Sequence, residues 1–328
     1  MDFDKLFSSF KDIKVAVIGD VMLDTYWWGK VDRISPEAPV PIVAVSKREE
    51  RIGGAGNVAL NIQALGASVS VISVIGNDAE ADQLNALLKN NHINTDHLIK
   101  STERITTNKI RIIGRNQQMM RLDAEITNPL SENDEASLLS SFENYIKKVS
   151  PSIVILEDYN KGVLTSTVIK KIISLCRANN ILTAVDPKRK NFFSYEQADI
   201  FKPNLHEAKE GLNIISDELT DESLKNIHHS LHEKLQHNIS LITLSEKGVF
   251  YQTGNEHLII PTHIRSIADV SGAGDTVIAV ASVVYAATKN VRLMAEVANI
   301  AGGLVCEEVG TVAIDKSRLL EECKRLLN

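Results

Sequence analysis

The sequence predicts an α/β fold with a mostly parallel central sheet, helices on both of its faces, and a small separate β-sheet serving as a lid. Three observations predict it. Short, continuous Val/Ile/Leu runs recur along the chain, as strands buried on both faces require. Helical patterns alternate with them, which implies βαβ units. Two segments, residues 22–46 and 104–125, break the alternation and fit neither role.

In chain order the apolar runs are "KVAVIGD" (14–20), "SVSVISVIG" (68–76), "SIVILEDY" (152–159), "ILTAVDP" (181–187) and "SLITLSEKG" (240–248). The helical patterns are "NVALNIQALG", "AEADQLNALLKNNH", "TSTVIKKIISLCRANN", "DESLKNIHHSLHEKLQ" and "DTVIAVASVVYAATKN". Segment 22–46 holds both tryptophans, and 104–125 reads as two strands around "GRNQQ" with basic residues alternating. Both are expected to leave the main body as lid strands. No repeat, low-complexity tract or linker divides the chain, so residues 1–328 are expected to form a single domain.

Composition narrows the function. The 328 residues are 44% hydrophobic and 24% charged, with a formal net charge of −6. That balance argues against nucleic acid as a partner, so any anionic ligand must be held by a local basic cluster. No apolar run approaches the ~18 residues of a membrane span, and no secretory signal opens the chain. Cys176, Cys306 and Cys323 lie far apart, as free thiols in a reducing compartment. The expected location is the cytoplasm.

Chemistry concentrates at "IADVSGAGDT" (267–276). Gly272 and Gly274 permit a close approach of ligand to main chain, and the helix that follows aims free N–H groups at it, which makes an anion site. Asp275 at the helix start is either an N-cap or a base beside that anion hole, the pairing that phosphoryl transfer to an alcohol needs. No Gly-Lys-Ser/Thr follows, so this is not a Walker A loop. A second cluster, "RIGGAGNVALNIQALG", opens a helix near residue 55 and places Asn57 and Asn61 on one face, fit for packing or for reading sugar hydroxyls. Asp20 and Asp24 end the first strand, where α/β sheets bind ligands. Asp24 suits two vicinal hydroxyls or the cap of a turn. The strand ends "EDYNKG", "DPK", "KPNLHE" and "TLSEKG" carry further polar groups, and Lys161 and Lys188 among them are candidates for substrate phosphates.

"DVSGAGDT" and "GGAGNVALNIQALGA" resemble the two signatures of the ribokinase-like (PfkB) sugar kinases. "GDVMLDTYWWGKVDRISPEAPVPIVAV" and "RNQQMMRLD" resemble the kinase domain of bacterial heptose-7-phosphate kinase (ADP-heptose synthase) proteins, a likeness running from about residue 12 to 315. It implies a ribokinase-like three-layer αβα sandwich that phosphorylates D-glycero-D-manno-heptose 7-phosphate at its anomeric hydroxyl with ATP and Mg2+. It implies Asp275 as base, with Gly272, Ala273 and Gly274 as anion hole. Asp24, Gly53, Gly54 and Asn57 fall at sugar-binding positions. Asn204 and Glu207 match the motif that organises magnesium and phosphates, Glu207 reaching the ion through water. Thr243, Ser245 and Gly248 match the nucleotide turn, with Lys188 beside the phosphates, and Asp269 falls where relatives bind a monovalent cation, K+ being the candidate.

For the sugar's own phosphate the lid offers Lys109, Arg111, Arg115 and Arg121, Arg being suited to bidentate contacts. Lys109 and Arg111 share a strand face. The same charges also suit a solvated edge strand. No histidine forms an H-x-G-H motif, so adenylylation is expected to fall to another polypeptide. Apolar lid strands such as "PIVAV" and "IRII" suggest a homodimer through the lid. The rivals are a PfkB kinase for another sugar and a sensor built on an inactive kinase fold. A Rossmann dehydrogenase is disfavoured, since no G-x-G-x-x-G follows the first strand.

Overall fold

The computed structural model describes every residue except 116, 217, 218, 264, 265 and 328. Elements are numbered along the chain. The main sheet contains β1 (Lys14–Gly19), β4 (Ser68–Gly76), β5 (Asn94–Ser101), β8 (Ile153–Glu157), β9 (Leu182–Asp186), β10 (Ile200–Phe201), β11 (Ile239–Thr243), β12 (Val249–Thr253) and β13 (Glu256–Ile260). Its order is β13-β12-β11-β10-β9-β8-β1-β4-β5. The strands from β5 through β11 pair in parallel, and only β12 and β13 turn back antiparallel.

Helices cover both faces: α1 (Phe3–Ser9), α2 (Ala55–Ala64), α3 (Ala79–Asn90), α4 (Glu132–Val149), α5 (Ser166–Ala178), α6 (Leu205–Leu212), α7 (Asp221–Leu235), α8 (Ala273–Thr288), α9 (Val291–Val305) and α10 (Lys316–Leu326). Strand alternation sorts the side chains. Val15, Val17, Val69 and Val71 join the core formed with α1, α2, α3, α8, α9 and α10. Ala16, Ile18, Ile72 and Val74 point the other way, into the core with α4, α5, α6 and α7. The result is the three-layer sandwich the resemblance implied.

Helix α8 is buried around its whole circumference from Val277 to Val284, where every side chain but Ser282 is apolar, and such a helix must be enclosed. It packs on α9, α2, β8 and β9. Full burial of each of its Val and Ile side chains contributes about 1.5–3 kcal/mol relative to exposure. This fixes the N-terminus of α8 above the ends of β8 and β9.

The lid is a second sheet of β2 (Val21–Ile34), β3 (Pro41–Gly54), β6 (Asn108–Gly114) and β7 (Gln117–Ala124), in the order β3-β2-β6-β7. Its register places Asp24 beside Arg51 and Lys109, and Tyr26 beside Glu49 and Arg111. That face is charged. Much of the sheet remains exposed, including every residue of β7.

Candidate active site

The first turn of α8 closes one side of a cleft of about 620 Å³. Gly272, Ala273, Gly274, Asp275, Lys188, Asn204, Glu207, Thr243, Ser245 and Gly248 all line it. These residues come from four separate chain segments, brought together because the carboxyl ends of parallel strands share one edge of the sheet.

Gly272 is the N-cap of α8, with φ +78°, and no side chain caps the helix. Asp275 is therefore not the cap; its carboxylate is held by side chains from elsewhere in the chain. Asn57 Nδ2 donates to its Oδ2 at 2.7 Å, and the Tyr159 hydroxyl donates to its Oδ1, also at 2.7 Å. Burial pushes the Asp275 pKa up to about 6, although both hydrogen bonds favour the charged form. A carboxylate near 6 is ionised at neutral pH yet basic enough to accept a hydroxyl proton. A Cβ on Gly272 would lie 2.9 Å from Asn57 Nδ2, so a side chain there would press on the amide that holds Asp275.

Ala273 N–H already donates to Val270 O at 3.3 Å. The N–H groups of Gly274 and Asp275 are the remaining first-turn donors, with no acceptor inside the helix.

Glu157 and Asp186 end β8 and β9 as register partners. Glu157 is buried, and burial together with Asp186 and Asp275 holds its pKa well above the usual carboxylate range. Lys202 is 2% exposed and places Nζ 2.8 Å from Asp186 Oδ2. Lys188 pairs with Glu207 and lies 3.6 Å from Asp186 Oδ1. Burial works against the Lys188 charge, but Asp186 and Glu207 outweigh it and raise its pKa. Asn204 and Glu207 form a reciprocal cap on α6: Asn204 Oδ1 accepts from Glu207 N and Glu207 Oε2 accepts from Asn204 N, both at 2.8 Å.

Of the expected sugar residues, Asn57 on α2 meets this cleft at Asp275, and the others gather on the lid with the cations expected for the sugar phosphate. Asp24 is buried and ion-paired with Arg111, which also lies over the Tyr26 ring. A Cβ on Gly53 would fall 2.3 Å from Asp24 Oδ2, so the glycine makes room for this carboxylate. Gly54 ends β3 as the N-cap of α2. Lys109 pairs with Asp123 at 3.3 Å and Glu125 at 3.5 Å, and Lys161 reaches the same Glu125 at 2.8 Å. Arg121 is bound to Asp123 on the exposed lid. Arg115, at the β6–β7 turn, donates to Val31 O at 2.7 Å and joins neither group.

The lid and the cleft meet at residues 309–311. Arg51 of β3 donates to Val309 O and Thr311 O, and Gly310 N donates to Asp269 Oδ2 at 2.9 Å. Asp269 Oδ1 accepts from Ser271 N and its hydroxyl. Asn61 does not read sugar: it is fully buried, donating to Asn57 O and accepting from Thr276 and Ile314. Sequence reasoning passed over Tyr159, Glu157, Lys202 and Arg51. The first three lay inside the strand-end stretches already marked, but only the strand register shows which of their side chains turn inward.

Among the described residues, no helix is long and apolar enough to cross a membrane. The fold is similar to that of phosphofructokinase-2 from Escherichia coli, solved in complex with potassium, with a TM-score of 0.81 and 15% identity over 96% of this chain and all of that one. It is also similar to Arabidopsis thaliana ribokinase complexed with ribose and ATP, with a TM-score of 0.73, 16% identity, and coverage of 94% and 99%. In sequence the chain is 42% identical over 313 residues to the bifunctional protein HldE of Aliarcobacter butzleri and 39% identical over 314 residues to that of Desulfatibacillum aliphaticivorans. Each alignment takes in 95% of this chain but only 64% and 63% of the relative's length. Residues 12–317 match the pfkB family carbohydrate kinases, and the chain belongs to that family.

Proposed function

We propose that the protein transfers the γ-phosphoryl group of ATP to the anomeric hydroxyl of D-glycero-D-manno-heptose 7-phosphate, giving the 1,7-bisphosphate, as a cytoplasmic step toward ADP-heptose. The carrying observation is the Asp275 carboxylate, fixed by Asn57 and Tyr159 beside the first-turn N–H groups of α8. Asp275 takes the hydroxyl proton, and the free N–H groups of Gly274 and Asp275 stabilise charge on the transferring group, the Ala273 N–H being held by Val270 O. Lys188, Asn204, Thr243, Ser245 and Gly248 hold the nucleotide, with Glu207 reaching Mg2+ through water. When bound, that ion neutralises charge on the phosphates.

Asp24, Gly53 and Gly54 receive the sugar. Lys109 and Arg111 receive its 7-phosphate, exchanging their present carboxylate partners for it. Asp269 supports K+ at the turn it shares with Gly310. Two copies associate through the lid, whose outer residues Met120 and Leu122 are 54% and 43% exposed.

The test is a screen of ADP release with ATP over free and phosphorylated sugars. Heptose 7-phosphate is expected to exceed ribose, fructose and fructose 6-phosphate in kcat/KM. Faster turnover of a free sugar would instead favour another PfkB specificity. No turnover with any sugar would favour a sensor.

A further inference from the structure

Two ammonium groups from different sheets converge on one carboxylate where the chain leaves the lid. Glu125 is the first residue after β7. Lys109, on β6 of the lid, lies 3.5 Å from Glu125 Oε2, and Lys161, in the loop after β8, lies 2.8 Å from Glu125 Oε1. Both lysines stand beside residues already placed in the site. Lys109 is the register partner of Asp24, and Lys161 follows two residues after Tyr159, whose hydroxyl holds Asp275. Lys109, Lys161 and Arg121 meet Asp123 and Glu125, three cations against two anions, so the cluster carries one positive charge in excess.

Glu125 fills this place incompletely. Its Oε2 is buried without a hydrogen-bond partner, because Lys109 gives its hydrogen bond to Asp123, at 3.3 Å. A carboxylate satisfied on one oxygen only is a weak occupant of a partly buried cation pair. It also has somewhere to go. Glu125 lies outside any strand or helix, so its movement breaks no ladder, and it lines a neighbouring cavity of about 490 Å³ together with Glu103, Thr127 and Asn128. A phosphate group carries nearly twice the charge of a carboxylate and three terminal oxygens, enough for both ammonium groups and a lid arginine.

We propose that Glu125 is a specificity-determining residue, a tethered carboxylate that holds Lys109 and Lys161 together until the phosphate of a phosphorylated sugar displaces it. The phosphate then bridges the two lysines and joins the lid to the loop that aims Asp275. A sugar without that phosphate meets cations already paired and has nothing to exchange for Glu125, so it gains no bridge between lid and body. This role rests on the reading of the cleft as that of a sugar-phosphate kinase, and it adds Lys161 to the phosphate contacts.

The experiment is isothermal titration of the full chain, as wild type, Glu125→Gln and Lys161→Met, with two pairs of ligands: heptose 7-phosphate and heptose, and fructose 6-phosphate and fructose. Glu125→Gln is expected to bind heptose 7-phosphate about threefold more tightly, since no charge competes for the lysines. Lys161→Met is expected to bind it about tenfold more weakly, having lost one charged contact. Neither variant should shift the affinity for free heptose. Unchanged or weaker binding of the sugar phosphate by a folded Glu125→Gln chain overturns the displacement. An equal loss for both members of a pair in Lys161→Met also overturns it, since a lysine that only supports the fold gives that result. Lys161→Met decides where Glu125→Gln fails to fold. Intact phosphorylation of heptose 7-phosphate with neither shift removes the role of Glu125 alone. Preference of the wild type for fructose 6-phosphate, with the same two shifts in the variants, removes the heptose reading and leaves that role.

Discussion

Asp20 and Asp275 are both buried carboxylates at the edge where the cleft opens, and they are held in opposite ways. Asp20 accepts three main-chain N–H groups from one loop: Tyr159 at 2.8 Å, Lys161 at 3.0 Å and Val163 at 3.1 Å. Asp275 accepts only side-chain donors, from Asn57 and Tyr159. Main-chain donors make a carboxylate part of the scaffold, because they cannot move without moving the loop. Side-chain donors leave it oriented but still able to take and release a proton. Tyr159 joins the two: its N–H serves Asp20 and its hydroxyl serves Asp275, so the scaffold aims the base.

The largest effect tests the Asp275 side of this contrast. Asp275→Asn is expected to lower kcat by about 10²–10⁴-fold, the usual worth of a general base, in an ADP-release assay. It should not lower the melting temperature at pH 7.5. The Asp275 pKa is raised in the fold to about 6, so its stabilising contribution is complete only below the unfolded carboxylate range and is lost as pH rises through 6. At pH 7.5 the buried charge is a cost, and the neutral amide removes it.

Asp20→Ala should do the reverse, acting first on stability. It strips three N–H groups of their acceptor, and each donor left unpaired costs about 1 kcal/mol or more, so a loss of at least about 3 kcal/mol is expected in urea unfolding. Unchanged stability would break the scaffold reading of this residue.

Tyr159→Phe should show the smallest effect and the most diagnostic one. It removes one of the two bonds that favour ionised Asp275. A hydrogen bond to a charged group is worth about 1.5–3 kcal/mol, and 1.36 kcal/mol corresponds to one pH unit. The acid limb of kcat/KM, expected near pH 6 in the wild type, should move upward by about one pH unit in the variant, with less than about tenfold loss at pH 8.5. A fall in rate at every pH, with the limb unmoved, would mean that Tyr159 only packs.

Some features of the molecule were readable without coordinates. The runs at 14–20, 68–76, 152–159, 181–187 and 240–248 all became parallel strands of one sheet, because a strand buried on both faces must be apolar throughout. The antiparallel edge of β12 and β13 was not foreseen, and neither was α4, whose Ser131 cap and amphipathic pattern were present in the sequence. β13, with its mixed burial, carries a weak period-2 signal and passes for loop.

By itself, the sequence determined the fold class, the family signatures and the glycine-flanked aspartate, since these depend on local patterns of apolar residues and on backbone freedom. It left Asp275 as either cap or base. Tertiary structure decided that point, by bringing Asn57 and Tyr159 to its carboxylate across 218 and 116 residues of chain. It also set Glu157 against Asp186, which only strand register can do, and turned Asn61 into the core. Contacts so distant in sequence arise from burying α8 against the sheet, and no local pattern encodes them.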